Sequence, residues 1–142
     1  MPYTFDTNVA IHALRDLSER DRFQGFLRGR RGQVVLHATV WLELQVGARS
    51  AREQTALDDF VRPFVERHRL LLPSGVARQQ AGRVLARLAR EGSDTRRSSI
   101  HYDAIIAASA REARVTLVTW NIADFDRIVP HLGKFAYASP YP

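Results

Sequence analysis

The sequence predicts an α/β fold: a mostly parallel sheet of four to five strands with helices on both faces. Two observations predict it. Short β-prone apolar runs alternate along the chain with longer runs of helical apolar spacing. The stretches between successive β-runs are long enough for crossovers rather than hairpins, and crossovers join parallel strands. No repeat, linker or low-complexity tract interrupts the alternation, so residues 1–142 read as a single domain.

The elements follow in order. Tyr3-Thr4-Phe5 is the first β-run and ends at Asp6. Val9 to Leu14 carries helical spacing, and Phe23, Phe26 and Leu27 predict a further helical turn or two. Gly29-Arg30-Arg31-Gly32 breaks that pattern. Val34-Val35-Leu36 reads as a buried strand, and Thr39 as the N-cap of the helix after it, with Val40, Leu44 and Gly47 on related turns. Ser50-Ala51-Arg52-Glu53 is a capping box, opening a helix with the stripe Leu57, Phe60, Val61, Phe64 and Val65. Leu70-Leu71-Leu72 is a third strand, stopped by Pro73. Val76 to Arg90 is helical, Gly92 to Ser99 is a polar loop, and Asp103 to Ala113 is an alanine-rich helix. Val115 to Thr119 is a fourth strand, with Phe135-Ala136-Tyr137 a candidate fifth at an edge.

Composition narrows the function. The chain is 45% hydrophobic and 25% charged, enough apolar residues for a core and too many for a mainly disordered protein. No apolar run nears the ~18 residues of a membrane span, so no integral membrane role is expected. The opening lacks a basic segment followed by a long apolar one, so a secretory signal is not expected and the cytoplasm is. Cysteine is absent, which excludes disulfides, thiolate metal sites and cysteine nucleophiles. The formal net charge is +6, which favours a polyanionic partner: nucleic acid, an anionic membrane face or an acidic protein. Lys134 is the only lysine among 21 basic residues. Arginine's planar fork suits phosphate, and GC-rich codon usage explains the bias equally well.

Parallel sheets gather ligands at the carboxyl ends of their strands. Asp6 follows the first strand, and Glu43 lies one turn into the helix after the second. Asp103 opens the helix before the fourth strand, while Asn121 and Asp124 follow that strand. Singly, each has a structural explanation. Asp6 is a potential N-cap, Glu43 a solvent-facing mid-helix acid, Asp103 a first-turn acid, and Asn121 with Asp124 a cap. Their joint placement points further. Clustered carboxylates repel one another unless a cation neutralises them. An oxygen-only set suits Mg²⁺ or Mn²⁺, and such an ion can activate water against a phosphodiester.

These residues resemble a known family. FDTNVAIHAL resembles the first motif of PIN-domain ribonucleases, and TVWLELQVGA the second. DAIIAASARE resembles the third and LVTWNIADFDRI the fourth. No single motif is specific; the four in order are. With the chain length, they resemble the VapC toxins of bacterial toxin–antitoxin pairs across almost the whole sequence. The resemblance implies a PIN-like three-layer α/β/α sandwich and a metal-dependent endoribonuclease that leaves a 5′-phosphate and a 3′-hydroxyl. It assigns Asp6, Glu43 and Asp103 to the divalent ion. Asp124 fills a later fourth place beside the uncharged Asn121. Thr7, Thr119 and Asn121 are expected to position substrate, water or a carboxylate. It further implies a homodimer and a cognate antitoxin that fills the active-site groove and alone contacts operator DNA.

Trp120 stands where a basic residue is frequent in the family, and an indole there could stack on a base. Arg96 and Arg97 are candidates for a phosphate clamp, or solvated loop charges. His12 and His37 lack a close ligand partner and read as core or rim residues, while His101 lies two residues before Asp103. Three rivals remain. A non-catalytic nucleic-acid-binding or interaction module would not need convergent acids. A phosphoacceptor receiver domain needs an adjacent acidic pair at a strand end, whereas Asp58-Asp59 lies in a helical stripe. A housekeeping RNA-processing nuclease would keep the chemistry without an antitoxin.

Overall fold

The computed structural model describes residues 2–142. Five short strands run in one direction: β1 (Tyr3–Phe5), β2 (Leu36–His37), β3 (Leu70–Leu71), β4 (Thr116–Val118) and β5 (Tyr137–Ala138). Strand β1 pairs with β4 from Tyr3↔Thr116 to Phe5↔Val118, and β4 pairs with β5 at Leu117↔Tyr137. Strand β2 pairs with β3 at Leu36↔Leu70. A parallel bridge between Tyr3 and Val34 joins the two groups, with the Val35 N–H donating to the Tyr3 carbonyl at 2.8 Å. The spatial order is therefore β3-β2-β1-β4-β5. All five strands are parallel, at the upper end of the expected number.

That order dictates the layers. From β1 the chain steps outward to β2 and β3, then returns across the sheet to β4 and β5. Right-handed crossovers in opposite directions put their helices on opposite faces. Helices α1 (Thr7–Arg15), α2 (Leu17–Gly29), α3 (Ala38–Gly47) and α4 (Ala51–Glu66) fall to one face, and α5 (Gly75–Arg90), α6 (Ser98–Ala113) and α7 (Ile122–Leu132) to the other. Contacts agree: α1 touches α2, α3 and α4, while α5, α6 and α7 touch one another. The result is a three-layer α/β/α sandwich. No helix among the described residues is long and apolar enough to cross a membrane.

The core explains both layers. Phe5 is fully buried and meets the rings of Phe23, Phe60 and Phe64 from α2 and α4. Such aromatic clusters gain from tilted and edge-on geometry beyond their buried area. On the other face α6 is buried almost all round, through Ile100, Ala104, Ile106, Ala107, Ala108 and Ala110. Its alanines meet Ala77 and Ala81 of α5, so small side chains allow a close approach of the two helices.

Four local expectations are corrected. The cap of α3 is His37, whose Nδ1 accepts from the Thr39 N–H at 2.9 Å; Thr39 sits inside the helix. The β-run at 34–36 narrows to a bridge at Val34 with the ladder at Leu36–His37. Helix α6 begins at Ser98, so Asp103 lies in its second turn rather than opening it. Helix α7 was not expected; Ile122, Phe125 and Ile128 form its inner stripe.

Candidate active site

Strands β1 and β4 are neighbours, yet their crossovers leave toward opposite faces. This is the switch point of the sheet, where a crevice opens beyond the strand ends. A cavity of about 360 Å³ lies there, lined by Asp6, Thr7, Glu43, Asp103, Asn121 and Asp124 among others. Four helices deliver these groups: the start of α1, the second turns of α3 and α6, and the first turn of α7.

Asp6 is the most constrained. It is 3% exposed and caps α1, its Oδ1 accepting from the Thr7 N–H at 2.8 Å. Its Oδ2 accepts from Thr119 Oγ1 at 2.8 Å and from Asn8 Nδ2 at 3.0 Å. Burial pushes its carboxyl above the usual carboxylate range, against those three hydrogen bonds. Glu43 Oε1 accepts from Thr7 Oγ1 at 2.8 Å. Burial raises the Glu43 carboxyl too, and the charge of Asp6 adds to it. Asp103 is pushed up to about 8, first by burial and then by the charges of Asp6, Asp124 and Glu43. Asp124 is exposed at the mouth, in the first turn of α7.

The threonines and Asn121 divide the supporting work. Thr7 ties α1 to Glu43 of α3. Thr119 is fully buried, outside the lining residues, and holds Asp6 while accepting from the Asn121 N–H at 3.0 Å. Asn121 faces the cavity and makes no side-chain capping bond to α7, so the cap reading does not hold for its side chain.

Sequence reasoning missed two residues. Asn8 joins Asp6 to β4: its amide donates to Asp6, and its carbonyl accepts from the Trp120 N–H at 3.2 Å. The signal available was its place in Asp-Thr-Asn. Arg127, one turn past Asp124 on α7, lines the cavity together with Arg97. Arg96 instead pairs with Asp94 at 3.1 Å and stays outside. His101 also lies outside, its Nε2 2.6 Å from the Thr95 carbonyl oxygen.

The donor set fits a hard divalent cation. All the ligating atoms on offer are oxygens, and burial, with repulsion from neighbouring acids, raises the proton affinity of Asp6, Glu43 and Asp103 until a positive charge replaces the proton. Among the described residues no three His, Asp or Glu side chains converge as a ready-made cage. Arg97 and Arg127 supply positive charge at the rim for an anionic substrate.

Comparisons with known proteins bear on this arrangement. The PIN domain family model matches residues 3–129. The chain is 27% identical over 130 residues to the tRNA(fMet)-specific endonuclease VapC of Shigella flexneri, covering 90% of this chain and 92% of that protein. Among solved structures, a chain of DNA-bound VapBC from Salmonella typhimurium matches with a TM-score of 0.74 at 22% identity, over 98% of both chains. A chain of VapBC2 from Rickettsia felis, bound to a promoter DNA fragment, matches with a TM-score of 0.69 at 23% identity, again over 98% of both. These structural likenesses show the fold.

Proposed function

The chain belongs to the PIN domain family, and from that premise we propose that it is a divalent-metal-dependent endoribonuclease, the toxin of a toxin–antitoxin pair. One observation carries the reading: four acids from four separate helices reach one crevice at the sheet's switch point, with the Asp103 carboxyl raised to about 8. A purely structural site does not gather buried like charges without a partner, because each raises the cost of the others.

Asp6, Glu43, Asp103 and Asp124 would hold Mg²⁺ or Mn²⁺. When bound, the ion supplies the positive charge that ionises the acids, polarises water and neutralises phosphate. Asp6 is oriented by Thr7, Asn8 and Thr119, so its carboxylate needs no reorganisation to bind. Thr7 fixes Glu43. Arg97 and Arg127 hold the phosphate oxygens of the strand, and Asn121 offers an amide to substrate or water. Water attacks phosphorus and the 3′ oxygen leaves, giving a 5′-phosphate and a 3′-hydroxyl. The net charge of +6 draws RNA toward this locally acidic pit.

The relatives' assemblies support the remaining parts of the reading. Two of the solved neighbours are VapBC complexes bound to DNA. The partners follow: a cognate antitoxin, a second copy of this chain, and operator DNA met only through the antitoxin, all in the cytoplasm. The test is RNA cleavage with Mg²⁺ or Mn²⁺, with EDTA, and by Asp6→Asn and Asp103→Asn. Metal-dependent cutting lost in both variants is expected. Cutting that survives both variants would sink the assignment.

A further inference from the structure

We propose that His12 and Trp120 form a stacking platform that takes an unpaired nucleobase of the RNA, next to the phosphodiester that is cut. The proposal rests on the nuclease reading and names the part of the substrate it grips outside the acidic crevice.

The two rings come from opposite sides of the switch point. His12 lies on α1 and Trp120 follows β4, and their rings stack with centroids 5.8 Å apart and planes 28° from parallel. Both are exposed, Trp120 by 38%. The other tryptophan, Trp41, is half-buried against the core. Trp120 is not among the residues packed against that core. An exposed, pre-stacked pair of flat rings has the shape and chemistry to continue a stack onto a base.

Position selects the ligand. Trp120 sits between Thr119, which holds Asp6, and Asn121, which lines the crevice. Its backbone N–H is fixed by Asn8 Oδ1, and the same Asn8 side chain donates to Asp6 Oδ2. The platform is thus tied through one amide to the carboxylate at the centre of the site. A ligand reaching both must carry an anionic group for Arg97 and Arg127 and a flat ring for the indole, as one nucleotide does. The base must be unpaired, because bases within a helix are already stacked and their faces covered.

The test uses two readouts. In Trp41→Phe, Trp120 is the only tryptophan, so its emission reports the platform without altering it. With EDTA present to keep the strand whole, a mixed-sequence single-stranded RNA should quench that emission, and an abasic ribose-phosphate strand of equal length should not. With Mg²⁺ or Mn²⁺, Trp120→Ala should raise KM about fivefold to a hundredfold, the range for losing one stacked base. Its kcat should stay nearly constant, and Trp120→Phe should restore most of the KM. Quenching without any cleavage would keep the platform and remove the nuclease reading. Cleavage with no quenching and an unchanged KM in Trp120→Ala would overturn the platform and leave the nuclease intact. Equal quenching by the abasic strand, or a Trp120→Ala change confined to the number of copies in the oligomer, would also overturn it.

Discussion

Asp6 and His37 occupy equivalent places. Each is a buried polar residue at the carboxyl end of a parallel strand, and each caps the helix that follows. Asp6 accepts from the Thr7 N–H, and His37 from the Thr39 N–H. Their surroundings differ. Asp6 stands at the switch point, where the sheet opens into the acidic crevice. His37 stands one strand over, on β2 between β1 and β3, and its Nε2 finds no protein partner. Burial raises the Asp6 carboxyl and lowers the His37 imidazole to about 4, so in the metal-free protein each shift favours the neutral form. The same local device serves two ends, and the topology around it decides which becomes chemical.

The sharpest way to break the comparison is to remove the charge of the one and the ring of the other. Asp6→Asn keeps an N-cap but removes the charge. RNA cleavage should fall about a hundredfold or more, while the melting temperature without metal holds or rises. His37→Ala should do the reverse. It removes a cap and empties core space, at about 2 to 4 kcal/mol. Cleavage per folded molecule should be unchanged. Denaturant melts paired with a cleavage assay separate the two; a His37→Ala protein that folds normally but cannot cut would place His37 in the chemistry.

The next effect is in pH. Asp103 is raised from 3.8 to about 8 in the folded chain. Between those values the metal-free folded state binds more protons than the unfolded state, so stability falls as pH rises. His37 is lowered from 6.5 to about 4, so it pulls the other way and stability falls as pH drops through that window. Thermal melts in EDTA should lose stability from pH 6.5 to 8, and Asp103→Asn should flatten that decline. Adding Mg²⁺ or Mn²⁺ should raise the melting temperature at pH 8 and much less at pH 5, where protons compete. An equal metal-induced shift at both values would detach the ion from these carboxylates.

These particular residues show what the sequence made legible. The strand-end acids could be read because parallel strands hand their ligands to one edge, and a short β-run followed by Asp is visible by eye. Asp6, Glu43, Asp103 and Asp124 duly face one cavity. His37 could not be read as a cap, because imidazole rarely takes that role and the adjacent Thr39 offered the usual one. The start of α6 was hidden because Arg97 provides no side-chain cap and Ser98-Ser99 carry no apolar rhythm. Helix α7 is harder to see although Ile122, Phe125 and Ile128 are spaced for it, because Asn121 and Asp124 at its start read as a short cap or as site members and neither reading extends a helix. Asn8 needed three dimensions, since its partners Thr119 and Trp120 lie more than a hundred positions away.

Ser50 supplies the mildest contrast, a third helix cap with neither a buried site nor a cavity. Its Oγ accepts from the Glu53 N–H at 3.1 Å, in an exposed position at the start of α4. Water can replace that bond when the hydroxyl is removed, which it cannot do for Asp6 or His37. Ser50→Ala should therefore cost only about 1 kcal/mol, the ordinary worth of an exposed cap, with no change in cleavage or in the slope of stability against pH. A loss approaching that of His37→Ala would mean that capping itself, and not burial at a strand end, sets the scale. Agreement with the small value would leave burial as the factor that turns a cap into a structural keystone at β2 and into a candidate ligand at β1.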